Sequence, residues 1–152
     1  DSVWCDVDLE IQKEVFEKQL QLAKEWDKPV ILHTKGQEKT ILDLIRKYPN
    51  TYVVHWYGCM DYVKEYDEVA SYFTIGPSIG KEVEVTHLVK QVSIDKLLME
   101  SDGIEAVKWA IDSVDYIAAL KNEITQVAQL KNKTYSEVES ILDQNFSKLI
   151  KK

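Results

Sequence analysis

Short apolar segments alternate along this chain with longer segments of helical spacing, and this alternation limits the folds that the chain can adopt. The apolar segments are residues 30–32, 52–54, 72–75 and 97–99. Each is too short for a helix of ordinary length and predicts a buried strand. Strands that are apolar throughout and are joined by helices predict a parallel sheet covered on both faces, which is the α/β class.

The segments between and after these strands have apolar residues at helical spacing. The predicted helices are residues 9–26, 37–48, 62–70, 85–92, 112–131 and 135–149. Asp8 precedes the first helix and is a candidate N-cap, and Thr134 with Glu137 forms the capping-box pattern before the last. Two predicted helices therefore follow the last predicted strand.

Composition excludes several classes of protein. The chain has 152 residues, and 19 Lys plus Arg against 26 Asp plus Glu give a formal charge of −7. This size favours one domain, and this charge argues against a protein that holds nucleic acid by a broad basic surface. Phosphate chemistry would then require a metal ion. The longest apolar runs are far shorter than the roughly 20 residues that cross a bilayer, so no membrane partner is expected.

The two cysteines, Cys5 and Cys59, form neither a CxxC pair nor a disulfide framework. This usage suits a reducing cytoplasm, in which both side chains stay thiols.

Three side chains that could bind a metal follow the predicted strands. His33 and His55 come directly after strands, and Asp102 lies three residues after the last one. Reacting groups in parallel α/β folds lie at this carboxyl edge of the sheet, and imidazole and carboxylate suit Zn or Mn. The pattern predicts a metal-dependent hydrolase. Taken singly, a hydrogen-bonded structural histidine or a helix-capping aspartate remains the alternative.

Other polar residues near these positions have two interpretations each. Glu100 is two residues before Asp102, so it faces the same side of an extended strand and could orient a ligand or a water molecule. A salt-bridged carboxylate is the alternative. Lys35 could contact a phosphate or be a solvated lysine, and His87, within a predicted helix, is expected to have a surface or packing role.

Six strings of the sequence, in order, resemble the successive motifs of TatD-family metal-dependent deoxyribonucleases. They are QKEVFEKQLQLA (12–23), PVILHTK (29–35), VVHWYG (53–58), YFTIG (72–76), DKLLMESD (95–102) and YSEVESILDQNF (135–146). The resemblance implies an amidohydrolase-like (β/α)8 hydrolase that cleaves phosphodiester bonds of DNA with a metal-activated water.

The resemblance also implies roles for individual residues. His33, His55 and Asp102 match metal ligands for Mg, Mn or Zn, and Asp102 with Glu100 would act in catalysis. Lys35, in place of the family's arginine, and Tyr57, in place of its phenylalanine, would contact substrate. Asn145 matches a family asparagine to which no role is assigned.

Two motifs of the family are absent, the His-x-His strand and the Gly-Glu-x-Gly-Leu-Asp strand, and Asp1 is a candidate for the last residue of the second. A (β/α)8 barrel takes about 250 residues. We therefore expect residues 1–152 to be a single partial TIM-barrel domain, the C-terminal half with four strands and C-terminal helices. An open half exposes sheet edges, which predicts self-association or pairing with the missing N-terminal half.

Two alternatives to a DNA-cleaving enzyme remain open at this point. One is a catalytically incomplete fragment or remnant that acts as an interaction domain. The other is a hydrolase of small phosphoesters or amides, because a fold does not dictate a substrate.

Overall fold

A computed structural model describes residues 1–151, and it contains a four-stranded parallel sheet. The strands are β1 (Val30–His33), β2 (Tyr52–His55), β3 (Tyr72–Ile75) and β4 (Leu97–Met99), and they lie side by side in chain order. All three neighbouring pairs are parallel. The prediction of a parallel α/β fold is confirmed.

Within residues 1–151, one α-helix precedes the strands and six connect or follow them. They are α1 (Leu9–Glu25), α2 (Glu38–Ile45), α3 (Val63–Val69), α4 (Val83–Gln91), α5 (Ile104–Ile111), α6 (Tyr116–Lys131) and α7 (Tyr135–Ile150). A short 3₁₀ turn, Ile94–Lys96, leads into β4. None of the helices formed by residues 1–151 is both long enough and apolar enough to cross a bilayer.

The caps predicted for the first and last helices are confirmed. The Asp8 carboxylate accepts hydrogen bonds from the backbone N–H groups of Glu10 and Ile11. Thr134 and Glu137 exchange side-chain and backbone hydrogen bonds in a capping box. These contacts satisfy N–H groups that a helix start leaves without partners.

Helix α5 was not predicted, and α6 begins later than the sequence suggested. Asp112, taken as the start of the tail helix, is instead the left-handed C-cap of α5, with a φ of 51°. The side chain of Asp115 caps α6 by accepting a hydrogen bond from Ala118 N–H. Gly103, the residue before α5, supplies no side-chain N-cap, so no start signal separates this helix from the longer tail helix.

Strand register brings the ends of β1 and β2 together. His33 pairs directly with His55, and Ile75 pairs with Met99 one residue before Glu100. The backbone N–H of Glu100 donates to Ile75 O at 3.1 Å, so the chain stays beside β3 as it leaves β4. The residues that follow three strands therefore reach one edge of the sheet.

Alternation along the strands gives the sheet two different faces. We call one the helix-covered face; its side chains belong to or pack against the main core, and they are Val30, Leu32, Tyr52, Val54, Phe73, Ile75, Leu97 and Met99. We call the other the site face; it carries Ile31, His33, Val53, His55, Tyr72, Thr74 and Leu98. Ile31 is 74% exposed. The prediction that both faces are covered is therefore wrong at β1.

A buried asparagine on α7 forms hydrogen bonds with the backbone at and just before β4. Asn145 on α7 is fully buried, and its Nδ2 donates to Ile94 O and Leu97 O, both at 2.9 Å. These bonds satisfy backbone carbonyl groups at the start of β4. The asparagine noted in the sequence therefore has a structural position in this fold, joining α7 to the sheet.

Candidate metal centre

A cavity of about 570 Å³ opens at the carboxyl edge of the sheet. Its lining includes the strand-end residues His33 of β1 and His55 of β2. Lys35, Trp56 and Asp102, from the segments that follow β1, β2 and β4, line it as well. A depression of about 610 Å³ elsewhere is lined only by α7 and the residue that follows it. That depression has no opposing wall, whereas the cavity at the strand ends is enclosed by several segments, as ligand sites usually are.

His33 is held by the first residue of the chain. Its Nε2 lies 2.6 Å from Asp1 Oδ2, and Asp1 Oδ1 accepts hydrogen bonds from Val3 N–H and Trp4 N–H. Partial burial lowers the pKa of His33, and the neighbouring His55 ring and the N-terminal ammonium lower it further. A neutral ring whose Nε2–H donates to Asp1 leaves the lone pair on Nδ1 for a ligand.

Glu100 holds His55 through Nδ1, the ring nitrogen that is left free in His33. His55 Nδ1 lies 2.6 Å from Glu100 Oε2, and both side chains are largely buried. The hydrogen bond with Glu100 raises the pKa of His55, against the lowering effect of burial. An Nδ1–H that donates to Glu100 leaves Nε2 of His55 as the ligand nitrogen, and Nε2 lies 3.8 Å from Asp102 Oδ1.

Asp102 is placed by an unusual backbone conformation. It has a φ of 51°, in the left-handed region, and Gly103 follows with a φ of 88°. The Asp102 side chain remains 52% exposed. Non-glycine residues in this region are uncommon and cluster at functional sites, so the turn presents an accessible carboxylate beside His55.

The hydrogen bonds fit part of a metal centre. The His33 and His55 rings are 5.9 Å apart between centroids, and each has one nitrogen bonded to a carboxylate. Metal-binding histidines have this arrangement because the carboxylate fixes the tautomer that offers the other nitrogen. Within residues 1–151, no three His, Cys, Asp or Glu side chains are grouped closely enough to hold one ion. Complete coordination therefore requires further ligands, and water and substrate oxygen atoms can supply them.

The two predicted substrate-binding residues lie in different environments. Lys35 lines the cavity, with its Nζ 5.1 Å from the centre of the Trp4 ring. Tyr57 is fully buried, packs against Tyr66 with ring centroids 5.0 Å apart, and donates its hydroxyl hydrogen to Asp61 O. Burial also raises the pKa of Tyr57 above its usual range. The placement of Tyr57 favours packing, because its hydroxyl group is bonded to backbone beneath the surface.

The remaining histidine lies apart from the cavity. His87 is on α4 and is partly buried, which agrees with the packing or surface role expected from the sequence. Cys5 and Cys59 are free thiols.

Comparison with known proteins identifies the family. A sequence model of the family described as TatD related DNase matches residues 1–151. The chain belongs to this family. The resemblance carried by the six motif strings is thereby confirmed.

Three curated relatives of this TatD-family chain are similar over nearly all of it. They are the uncharacterized metal-dependent hydrolase YabD of Bacillus subtilis (27% identical, 99% of this chain, 62% of the relative), the uncharacterized metal-dependent hydrolase MJ1582 of Methanocaldococcus jannaschii (28%, 93%, 56%) and the human deoxyribonuclease TATDN3 (27%, 94%, 53%). The chain spans between 53% and 62% of the length of these relatives.

A solved structure shares the fold of this TatD-family chain. It is the crystal structure of an uncharacterized amidohydrolase from Saccharomyces cerevisiae, with a TM-score of 0.70 and 14% identity. The match covers 93% of this chain and 60% of that one. This agreement supports the parallel α/β arrangement.

Sequence reasoning missed several residues that build this TatD-family site. Asp1 binds His33 across 32 positions of the sequence, and Trp4, Trp56, Glu82 and Trp109 line the cavity. Trp56 directly follows a strand-end histidine, a signal that could have marked it. The other contacts join residues far apart in the chain and leave no local pattern.

Proposed function

We propose that this chain carries part of the metal centre of a TatD-family hydrolase that cleaves phosphodiester bonds of DNA. The observation that carries the proposal is the paired arrangement of His33 and His55. Asp1 holds one nitrogen of His33 and Glu100 holds one nitrogen of His55. Nδ1 of His33 and Nε2 of His55 therefore remain available to bind a metal ion.

Each polar residue in the cavity has a role in this proposal. His33, His55 and Asp102 hold divalent metal ions such as Mg, Mn or Zn, and Glu100 orients His55. A divalent ion supplies Lewis acidity and lowers the pKa of water toward neutrality. Lys35 lines the same cavity and offers an ammonium group to a phosphate oxygen. The formal charge of −7 is compatible with this scheme because few basic residues are required.

A second candidate function follows from the ligand count. No three candidate ligands within the described residues are grouped for one ion. This observation favours a chain that is catalytically incomplete by itself and acts as an interaction domain or as one part of a larger enzyme.

We propose further that residues 1–152 are one partial TIM-barrel domain whose open side pairs with another polypeptide. The support is the exposure of apolar residues on β1, which is an edge strand, and on α1: Ile31 is 74% exposed and Ile11 is 56% exposed. A second copy or an N-terminal half would cover them. Light scattering should show association, reduced in Ile31→Lys, whereas a stable monomer at micromolar concentration would contradict this proposal. The free thiols support a location in the cytoplasm.

A nuclease assay separates the candidate functions. Labelled DNA is incubated with the chain and Mg, Mn or Zn, and with His55→Ala and His87→Ala variants. The proposal predicts metal-dependent cleavage that His55→Ala loses and His87→Ala keeps, because His87 lies outside the cavity. Cleavage of only a small phosphoester or amide would support the substrate alternative. No cleavage together with no metal binding by calorimetry would support the interaction domain.

A further inference from the structure

Trp56 is held in one orientation by contacts that a packing residue does not require. Its φ is 39°, in the left-handed region, and its backbone N–H donates to Thr74 Oγ1 at 3.1 Å. Its indole Nε1–H donates to Glu82 Oε2 at 2.9 Å, and the fully buried Ser78 hydroxyl donates to the same oxygen. Backbone and side chain are therefore both fixed, at the cost of an uncommon conformation.

Gly76 makes room for the Trp56 ring. A Cβ atom at Gly76 would lie 2.5 Å from Cδ2 of the indole, closer than van der Waals contact allows. The positive-φ glycines of residues 1–151 are Gly36, Gly80 and Gly103, so backbone conformation does not explain the glycine at position 76. Space for the ring explains it, because the indole lies directly against this backbone.

A second indole lines the same cavity beside Trp56. The rings of Trp56 and Trp109 are 6.3 Å apart between centroids, and Trp109 is 54% exposed. Lys81 Nζ lies 4.1 Å from the centre of the Trp109 ring and donates to Trp109 O at 2.6 Å. The Trp56 ring is 6.4 Å from the His55 ring. An aromatic wall with a cation beside it thus adjoins the candidate metal ligands.

We propose that Trp56 and Trp109 form a subsite that stacks the nucleobase next to the phosphate being cleaved. Flat heteroaromatic rings stack on indoles whatever their hydrogen-bonding edges, so this wall suits a base better than a sugar or an aliphatic group. Lys81 adds positive charge at the rim. The position of the phosphate in this inference rests on the proposed function, whereas binding of the base does not.

The test measures binding without metal and without catalysis. Deoxyadenosine 5′-monophosphate and deoxyribose 5-phosphate are titrated into the chain, and ligand-observed saturation-transfer NMR reports affinity and the ligand protons in contact. We expect the nucleotide to bind more tightly, with the strongest transfer to base protons. Trp109→Leu should weaken nucleotide binding about 5- to 150-fold, the range expected for one stacked base, and should leave the binding of the sugar phosphate unchanged.

Trp26→Leu is the matched control, because Trp26 is 61% exposed at the end of α1 and does not line the cavity. It should bind the nucleotide like the unaltered chain. Trp109→Phe should retain part of the affinity, which a merely structural role of the indole would not predict. Gly76→Ala should also weaken nucleotide binding by displacing the Trp56 ring.

The outcomes distinguish this inference from the proposed function. Equal binding of both ligands, no binding of either, or an unchanged affinity in Trp109→Leu would overturn the subsite even if the chain cleaves DNA. Base-dependent binding that Trp109→Leu loses would support the subsite even if no cleavage is found, and the proposed function would then fail alone.

Discussion

The two faces of the sheet use the same four strands for different purposes. Phe73 on the helix-covered face is fully buried in the core, and Leu32 of β1 is 1% exposed. On the site face, Ile31 next to Leu32 is 74% exposed, and His33 and His55 stand where their strands end. One face stabilises the fold by burial of apolar surface. The other presents polar groups at its edge and leaves Ile31 uncovered, although Val53 and Leu98 on the same face are buried.

Successive residues of one strand therefore have different roles: one packs in the core and the next faces the site. Because side chains alternate, a strand of four residues can supply both the core and the site. In β2, Tyr52 and Val54 pack beneath the helices while His55 reaches the cavity. A shift of one residue in register would exchange the two roles.

The first prediction, with the largest expected effect, compares truncation of one apolar residue on each face of the sheet. Phe73→Ala should lower the free energy of unfolding by about 3–5 kcal/mol, because it leaves a cavity in a packed core. Ile31→Ala should change it by no more than about 0.5 kcal/mol, because the side chain is already exposed. Urea denaturation followed by circular dichroism measures both. Equal losses would mean that Ile31 is covered in solution.

A second prediction sharpens the account of the site face. Glu100→Gln removes the charge that fixes the His55 tautomer, and loss of such a partner typically weakens metal affinity about 10- to 100-fold. Calorimetric titration with Zn²⁺ compares this variant with the unaltered chain. Glu139→Gln, at an exposed position of α7, is the matched control and should bind as before. Unchanged affinity in Glu100→Gln would show that Glu100 does not orient a ligand.

A third prediction concerns Glu123 on α6, a carboxyl group that is fully buried in the described residues. Both carboxyl oxygens of Glu123 on α6 lack a partner, and burial, with a smaller effect of Glu100, raises the pKa of Glu123 from 4.5 to about 9. The unfolded chain therefore releases this proton at lower pH than the folded chain. The free energy of unfolding should fall as pH rises from about 4.5 to 9, by at most about 1.4 kcal/mol per pH unit.

The measurement is the pH dependence of urea denaturation in the unaltered chain and in Glu123→Gln. The variant should lose this slope, since its amide does not titrate, and Glu139→Gln should keep it. Identical slopes in all three proteins would show that Glu123 is ionised or solvated in the folded state, and the helix-covered side would then be less apolar than described.

The sequence predicted the fold where local pattern decides structure. The bounds of β3 and β4 match the apolar runs 72–75 and 97–99, because short buried strands are defined by their own residues. His33 and His55 were placed correctly at strand ends for the same reason. Helix α5 was not predicted, because Gly103 before it has no side chain that would mark the start of a helix.

The candidate site could be predicted only in part. Nothing near Asp1 in the sequence indicates that it binds His33, and nothing near Trp109 indicates that it faces Trp56, because the fold alone brings these pairs together. Tyr57 occupies a motif position, yet its neighbour Trp56 lines the cavity while Tyr57 is buried. Strand alternation continued past His55 would turn Trp56 away from the cavity and Tyr57 toward it. The left-handed backbone of Trp56, with a φ of 39°, breaks this alternation, and the sequence does not show that conformation.

Imidazole ¹⁵N NMR during titration with Zn²⁺ tests the central claim most directly. The chain has three histidines, so His87 serves as an internal control. We predict that the Nδ1 resonance of His33 and the Nε2 resonance of His55 shift on binding, while Nε2 of His33 and Nδ1 of His55 keep their protons and His87 is unaffected. No shift at His33 and His55, or a shift at His87 of the same size, would contradict the assignment of a metal centre to these strand ends.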